Sequence, residues 1–200
     1  MRVGGDTPAD RLARRIQFKK PAPPARGVVA IEAPDFSRAK NGKGLVWTII
    51  PNLGRTQGAV LALPQGQPST SLGDEIYLAY DVMIDTPGPA RVSLYLAPTL
   101  ATSGSHGVRI GVSIDQGSVH VLGSDLRPTG GLDEAPNEKL WADAVRNNIN
   151  ILSADLGQRQ TGRCTVKVWR LDDNVVLQKI VVSTTPLPSD LQGETANRLG

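Results

Sequence analysis

Cysteine and histidine are scarce in this chain of 200 residues, which contains one cysteine and two histidines. A single cysteine excludes an internal disulfide. Cys164 falls on the inward side of a strongly alternating segment, so we interpret it as a small buried hydrophobic residue and not as a nucleophile. His106 and His120 have no cysteine or carboxylate at metal-ligand spacing, which argues against a zinc site.

Long apolar runs and aromatic residues are also lacking. No stretch approaches the ~20 apolar residues that a membrane-spanning helix needs, so no membrane segment is predicted. The first residues include arginines but no apolar core of the kind found in secretory signal peptides, and none is predicted. Aromatic residues make up 4% of the chain, which is low for a protein dedicated to stacking ligands.

The net charge of +3 is unevenly distributed. Residues 1–26 contain seven Lys or Arg and two Asp or Glu, whereas residues 27–200 contain fifteen basic and seventeen acidic residues. Pro21, Pro23 and Pro24 end any helix in this first part and form a stiff linker. We therefore predict a basic arm followed by one nearly neutral domain. Such a domain argues against nucleic acid as a partner.

The segment 163–182 is the most informative part of the sequence. Residues 164, 166 and 168 are apolar and alternate with polar residues and Trp169, which is the period of a half-buried strand. Asp172-Asp173-Asn174 then provides short side chains that stabilise turns. A second β-branched run follows at Val175–Val182. This pattern predicts two strands joined by a tight polar connection, with Trp169 on the outer face of its sheet.

Similar alternation recurs along the chain between Gly- and Pro-rich turns. Residues 139–147 carry the one convincing helical pattern of the folded part, with Leu140, Trp141, Ala144 and Val145 on one side. We therefore predict an all-β fold, an antiparallel, jelly-roll-like β-sandwich with one short helix that caps an end and a basic N-terminal arm. The predicted strands are 28–33, 44–50, 59–63, 74–84, 91–97, 107–114, 118–122, 149–156, 163–169 and 175–182.

Several short segments carry a family resemblance. They are Val29–Ala33, Trp47–Thr56 with Ala59-Val60, Tyr95–Leu100, Gly107–Asp115, Trp141 with Ala144-Val145 and Asn148-Ile149, and Asp173–Ile180. In this order they resemble the C-terminal domain of glycoside hydrolase family 115, and together they cover roughly residues 27–190. Residues 1–26 take no part in the resemblance.

The resemblance implies a biochemical context. That family resembles α-glucuronidases, which remove glucuronic acid or its 4-O-methyl form from xylan side chains. Its catalytic carboxylates lie in larger upstream domains, so no catalytic residue is carried over and we predict that this chain is not an enzyme on its own. The terminal domain is similar to β-sandwich carbohydrate-binding modules of families 6 and 35. The implied partners are glucuronoxylan or a related polysaccharide and the catalytic domains of a larger hydrolase.

The resemblance leaves the cellular location open, since export with the family would place the protein outside the cytoplasm and nothing in the sequence indicates export.

The resemblance also implies a possible cofactor. The similar modules often hold a structural calcium ion between a Glu-Ala-Glu motif and a late aspartate. Here Glu32-Ala33 is followed by proline, so one carboxylate is missing. Glu32 with Asp172 or Asp173 would form a poorer site, and Asp35 is a substitute ligand. The alternative is that these acids only occupy turns and strand ends.

Signals of independent catalysis are weak. The Ser103–Gly107 segment places a serine beside a histidine but lacks the G-x-S-x-G nucleophile elbow. The acidic pairs Asp74-Glu75, Asp133-Glu134 and Asp172-Asp173 are interpreted as turn or loop residues. Glycosidase chemistry needs two carboxyl groups on either side of one bond, an arrangement that sequence does not establish.

Strand parity provides candidates for sugar binding. Tyr77, Tyr95, Arg109 and Trp169 fall opposite the inward aliphatic residues, so they form one face if their strands are neighbours. Aromatic rings stack on the apolar faces of sugars, and Arg109 or the turn residue Arg55 would pair with a uronate carboxylate. The alternative is that a helix, a loop or a partner domain covers these residues.

Three hypotheses about function remain open. The first is an accessory β-sandwich that binds xylan or packs against catalytic domains. The second is a scaffold or dimerisation module without a ligand, in which case an exposed apolar patch and a homodimer are expected. The third is a binding module for anionic polymers driven by residues 1–26, whose deletion would abolish binding. The alternative to the third, which we prefer, is that the arm is a tether or the remnant of an upstream domain.

Overall fold

The computed structural model describes residues 25–54, 58–102, 107–126 and 136–187, so the predicted basic arm, apart from its last two residues, lies outside the described residues. The described chain forms two antiparallel sheets, one α-helix and two short 3₁₀ turns. The predicted antiparallel β-sandwich with one short helix is confirmed. The strands and the helix are β1 (Val28–Glu32), β2 (Arg38–Lys40), β3 (Val46–Pro51), β4 (Gly58–Leu63), β5 (Tyr77–Ile84), β6 (Gly88–Leu96), β7 (Val108–Ile114), β8 (His120–Ser124), α1 (Pro136–Asn147), β9 (Asn150–Arg159), β10 (Gly162–Arg170) and β11 (Leu177–Ser183).

The two sheets have different strand orders. The first is six-stranded, with the order β3-β4-β11-β6-β9 and with β1 paired to β11. The second is five-stranded, with the order β2-β5-β10-β7-β8. Strands β11 and β10 are therefore central in their sheets, since each has neighbours on both sides.

The core lies between the inner faces of the two sheets. Val166 and Val168 of β10 are fully buried, and they belong to one apolar cluster with Leu94 of β6 and Ile180 of β11. Burying side chains of this size stabilises the fold by roughly 1.5–3 kcal/mol each. Because side chains alternate along a strand, this burial leaves the odd-numbered residues of β10 on the outer face of the second sheet.

The polar connection between β10 and β11 forms a turn, as predicted, but the two strands do not pair with each other. Strand β10 lies in the second sheet and β11 in the first, so residues 171–176 cross between the sheets. Asn174 has a φ of 58°, a left-handed conformation that asparagine tolerates well. Its side-chain amide donates a hydrogen bond to the carbonyl oxygen of Leu100 at 2.8 Å. The pattern identifies the turn but not the sheet that each strand joins.

The strands differ from the prediction at several places. A 3₁₀ turn capped by Ser71 and Asp74 occupies residues 72–74, so β5 begins at Tyr77. Strand β2 is not predicted, because its three side chains are all exposed and show no apolar alternation. Strand β9 continues through Gly157, which adopts a φ of 76° within the strand.

Helix α1 begins three residues before the predicted start, at Pro136, and proline suits the first turn of a helix. Ala144 is buried, whereas Leu140 and Val145 are 55% and 47% exposed. The apolar side of the helix is therefore only partly covered by the described part of the chain. No helix within the described ranges is long and apolar enough to cross a membrane.

A buried hydroxyl links β5 to the turn that follows β1. The Tyr80 hydroxyl donates a hydrogen bond to the carbonyl oxygen of Ala33 at 2.8 Å, and both residues are fully buried. Tyr80→Phe leaves that carbonyl without its donor, so we expect the free energy of unfolding to fall by about 1–2 kcal/mol. Urea unfolding monitored by tryptophan fluorescence measures the change.

The matched control for this experiment is Tyr77→Phe, because Tyr77 is only half-buried on the outer face. We expect its unfolding free energy to change by less than about 0.5 kcal/mol. Equal losses in the two variants would contradict a specific contribution of the Tyr80 hydrogen bond.

Candidate functional site

Two aromatic side chains lie together on the outer face of the second sheet. Trp169 of β10 is directly opposite Tyr77 of β5 in the strand register, and both side chains are half-buried. Their ring centroids are 4.9 Å apart, and the ring planes are inclined by 52°. We call this pair the aromatic platform. It presents apolar ring surface on the outer face of the sheet.

Strand β7 holds Trp169 in place. The indole Nε1 donates a hydrogen bond to the Ser113 hydroxyl at 3.0 Å, and Ser113 is itself buried. Gly111 lies directly opposite Trp169 in the register. A Cβ at Gly111 would lie 3.0 Å from the Trp169 Cβ and 2.8 Å from Cγ1 of Val119, so the close approach of these side chains requires a glycine. The orientation of the indole is therefore fixed by the sheet and not by a loop.

Lys167 places a cation beside the aromatic platform. Its Nζ lies 5.0 Å from the ring centroid of Tyr77 and 5.6 Å from that of Trp169. Both distances are within the range of cation–π attraction, which is worth about 0.5–1 kcal/mol at exposed sites. Lys167 is a functional candidate that sequence reasoning missed, although its outward position follows from the same alternation that placed Trp169.

Further along the same face, a polar groove begins where β5 and β10 continue past Lys167. Its volume is about 570 Å³, and Thr165 lies between two aspartates. The Thr165 hydroxyl donates to Asp81, and the Thr165 amide donates to Asp115, both at 2.9 Å. The hydrogen bond from Thr165 and the charge of Arg38 lower the pKa of Asp81. The groove is lined by Asp81, Val82, Met83, Asp115, Arg163, Cys164 and Thr165.

Arg109 lies on the same sheet face, as predicted, but its guanidinium is bound to Asp172. Arg109 Nε and one terminal nitrogen donate to the two carboxylate oxygens at 2.9 and 2.8 Å, and the Arg109 amide donates at 2.8 Å. The Asp172 side chain is 3% exposed, and that of Arg109 is 53% exposed. Burial acts to raise the pKa of Asp172, but the hydrogen bonds from Arg109 and Ser69 outweigh it and the pKa is lowered.

Tyr95 does not lie on this face, so the prediction of one shared face is corrected at this residue. It belongs to β6, in the first sheet, and is 5% exposed. It packs against Val28 and Val181 on the outside of that sheet, where Ile151 and Leu187 cover the cluster. Strand parity assigns a side to a residue but not a sheet. The remaining sugar-binding candidate, Arg55, lies outside the described residues.

The two predicted calcium ligands are engaged by other groups. The Glu32 carboxylate lies 3.0 Å from Nζ of Lys179. Asp173 is buried, accepts a hydrogen bond from the Gly66 amide at 2.6 Å, and lies 3.8 Å from the guanidinium of Arg170. Across the described ranges, no group of three or more His, Cys, Asp or Glu side chains is placed to hold a metal ion. The structural calcium site stays a prediction.

Arg170 fills the end of the sandwich where several loops meet. Its buried guanidinium donates to the carbonyl oxygens of Pro68 at 2.5 Å and Gln67 at 3.3 Å. The Thr70 hydroxyl donates to the Arg170 carbonyl at 2.7 Å. Burial lowers the pKa of Arg170. The described residues leave a cavity of about 10 Å³ beside Trp47 at this end, which is too small for a sugar.

The Arg109–Asp172 pair leads to a pH-dependent prediction. Because the pKa of Asp172 is lowered in the folded state, its contribution to stability is complete above the ordinary Asp pKa and is lost as the pH falls through its own pKa. We expect Asp172→Asn to reduce the free energy of unfolding by about 1–3 kcal/mol at pH 7. The difference from wild type should shrink near pH 3. Urea unfolding at the two pH values measures it.

Asp155→Asn is the matched control, since Asp155 forms an exposed ion pair with Arg91 at 3.1 Å. We expect less than about 0.5 kcal/mol at either pH, as for most exposed ion pairs. An Asp172→Asn effect of the same size as the control would show that burial adds nothing to this pair.

The sequence of this chain was compared with models of known protein families. The family model described as the glycosyl hydrolase family 115 C-terminal domain matches residues 24–193. No curated protein matches the chain in a sequence comparison.

Several solved structures are similar to this chain in their fold. A family 115 4-O-methyl-α-glucuronidase with specificity for decorated arabinogalactans has a TM-score of 0.59 and 17% identity, over 84% of this chain and 19% of that chain. The Arthrobacter globiformis T6 isomalto-dextranase complexed with panose has a TM-score of 0.50 and 14% identity, over 80% of this chain and 24% of that one. A family 35 carbohydrate-binding module from Clostridium thermocellum has a TM-score of 0.49 and 16% identity, over 78% and 98%.

These structural similarities are at low identity and therefore concern the fold. The chain spans about a fifth of the length of the α-glucuronidase that it resembles. The family model, by contrast, matches most of the chain. The protein therefore belongs to the glycosyl hydrolase family 115 C-terminal domain family.

Proposed function

We propose that this protein is the accessory, non-catalytic domain of a family 115 α-glucuronidase and that it binds glucuronoxylan or a related polysaccharide at the aromatic platform. The observation that supports this function best is the position of Trp169 and Tyr77, half-buried side by side on a sheet face. A sugar ring has apolar C–H faces that stack on aromatic rings, and its hydroxyl groups need fixed polar partners. The platform supplies the rings, and neighbouring side chains supply the polar partners.

The proposed site is pre-organised. The Trp169 indole is held by the hydrogen bond to Ser113 and by contact with Gly111, so little side-chain entropy is lost when a ligand stacks on it. A single stacking site of this size gives weak binding. Weak binding is appropriate for an accessory domain, because the catalytic domains of the larger hydrolase would share the same polymer.

Lys167 adds a preference for acidic sugars. Its ammonium group lies over both rings of the platform, and a uronate carboxylate bound there would pair with it. A neutral sugar must displace the ammonium group from the ring faces and lose the cation–π attraction. Arg109, the cation suggested by sequence for this role, is held by Asp172.

Trp169→Ala tests the platform. We expect this change to weaken binding to glucuronoxylan at least about tenfold, equivalent to ~1.4 kcal/mol, because the larger stacking surface is lost. Affinity electrophoresis and isothermal titration calorimetry on the purified chain measure the change. The test polymers are glucuronoxylan, unsubstituted xylan and arabinogalactan, the last because the structurally similar enzyme is specific for decorated arabinogalactans.

The control is Tyr95→Phe, an aromatic change in the other sheet that should leave binding unaltered. Retardation by none of the polymers would reject a carbohydrate-binding function. It would favour the second candidate, a structural module that packs against catalytic domains or a second copy. The exposed Leu140 and Val145 on α1 are the observation that supports this alternative. Sedimentation velocity of the wild-type chain would then test for a homodimer.

Lys167→Met tests the preference for acidic sugars, because methionine keeps the apolar stem of the side chain and removes the charge. We expect affinity for glucuronoxylan to fall about three- to tenfold at low salt while affinity for unsubstituted xylan stays equal or rises. The measurement is calorimetry at two salt concentrations. Lys139→Met, at an exposed position on α1, is the matched control. Parallel losses for both polymers would contradict the proposed role of the charge.

A further inference from the structure

We propose that the polar groove is a second subsite for the same ligand, and that the protein binds an internal stretch of an extended polysaccharide lying along β10. This inference rests on the proposed function, because the first subsite is the aromatic platform. It adds the direction in which the polymer lies, the residues that contact it beyond the platform, and its class, a linear chain of neutral sugar units that carries occasional acidic groups.

The first argument is the geometry of β10. Trp169, Lys167, Thr165 and Arg163 follow one another at every second position of the strand and therefore face the same side. Six residues of strand separate the two ends, roughly 20 Å at 3.3 Å per residue. The aromatic platform lies at one end of this line and the polar groove at the other. A ligand that contacts both must be an extended oligosaccharide or polysaccharide.

The second argument is that the surface between the two subsites is low. Lys167 is paired in the register with Ala79 on one side and Ser113 on the other, and both of these small residues are buried. Lys167 is therefore the one long side chain in this row of the three neighbouring strands. Among these three positions, only the flexible Lys167 side chain lies in the path of a chain that passes from Trp169 toward Thr165.

The third argument is the chemistry of the groove. Its volume of about 570 Å³ lies within the range of small-molecule sites, roughly 300–1,000 Å³. Asp81 and Asp115 provide carboxylate acceptors for sugar hydroxyls, and Arg163 provides donors. Met83 is 53% exposed and offers an apolar surface for the C–H face of a sugar. This mixture of groups fits a neutral sugar unit.

The position of the charges explains why the groove takes a neutral unit and not a uronate. Two carboxylates face the groove: Asp81 accepts a hydrogen bond from the Thr165 hydroxyl, and Asp115 accepts one from the Thr165 amide. The hydroxyl bond and the charge of Arg38 lower the pKa of Asp81. The two carboxylates are balanced by Arg163, which lines the groove, and by Arg38, which lies 3.3 Å from Asp81, so the groove has no surplus of positive charge for a uronate, whereas Lys167 provides a cation beside the platform. The structure therefore assigns the acidic side group of the polymer to the platform end and its neutral backbone to the groove.

The experiment is calorimetric titration of the full chain with unsubstituted xylo-oligosaccharides of two to six units. We expect affinity to rise at least about tenfold between the disaccharide and the longest oligomer, because only the longer chains fill both subsites. The variants are Arg163→Ala and Met83→Ala, both at exposed positions, so the fold should be retained. Each should lower affinity for the hexasaccharide about three- to tenfold and leave affinity for the disaccharide unchanged.

Arg146→Ala, an exposed arginine on α1, is the matched control and should change neither affinity. Affinity that does not depend on oligomer length, or Arg163→Ala and Met83→Ala variants that bind the hexasaccharide as the wild type does, would overturn the second subsite. In that case loss of binding in Trp169→Ala would still support the platform. No binding of any oligomer or polymer would reject both the platform and the groove.

Discussion

Strand β10 couples the core of this domain to its candidate binding face. Cys164, Val166 and Val168 are buried between the sheets, the two valines completely so, and this burial fixes which face of the strand is directed outward. The odd-numbered side chains are consequently directed outward, and Lys167 and Trp169 lie between β5 and β7. The orientation of Trp169 and Lys167 is therefore maintained by the same packing that stabilises the fold. A site built on such a strand is more rigid than one built on loops.

The end of β10 shows the opposite arrangement, in which polar groups hold loops together. Arg170 is buried and donates to carbonyl oxygens in the loop before β5, while Asp172 binds the guanidinium and amide of Arg109. Buried charges are costly unless they are paired and hydrogen-bonded, and here their partners come from separate parts of the chain. At this end of the sandwich the described residues leave a cavity of only about 10 Å³.

Much of the fold could be predicted from the sequence, because period-two alternation identifies a strand and its buried side. The same reasoning placed Tyr77, Arg109 and Trp169 on outer faces, and β5, β7 and β10 are indeed neighbours. It failed for Tyr95, because alternation does not tell which sheet a strand joins. The pairing of Arg109 with Asp172 and the burial of Arg170 were not predicted either, because both depend on contacts between distant segments. Such contacts are set by topology and leave no local pattern.

The physical limits of one aromatic pair explain why the proposed function needs an extended ligand. A stacking contact contributes of the order of 1 kcal/mol, which is far below the cost of immobilising a free sugar. Affinity must then come from repeated contacts along one polymer, or from attachment to catalytic domains that hold the same polymer. The line from Trp169 to Arg163 provides the first of these on one strand. Because that strand is central in its sheet, the distances between these side chains are fixed. An extended polysaccharide can therefore contact all of them without the cost of ordering a flexible part of the protein.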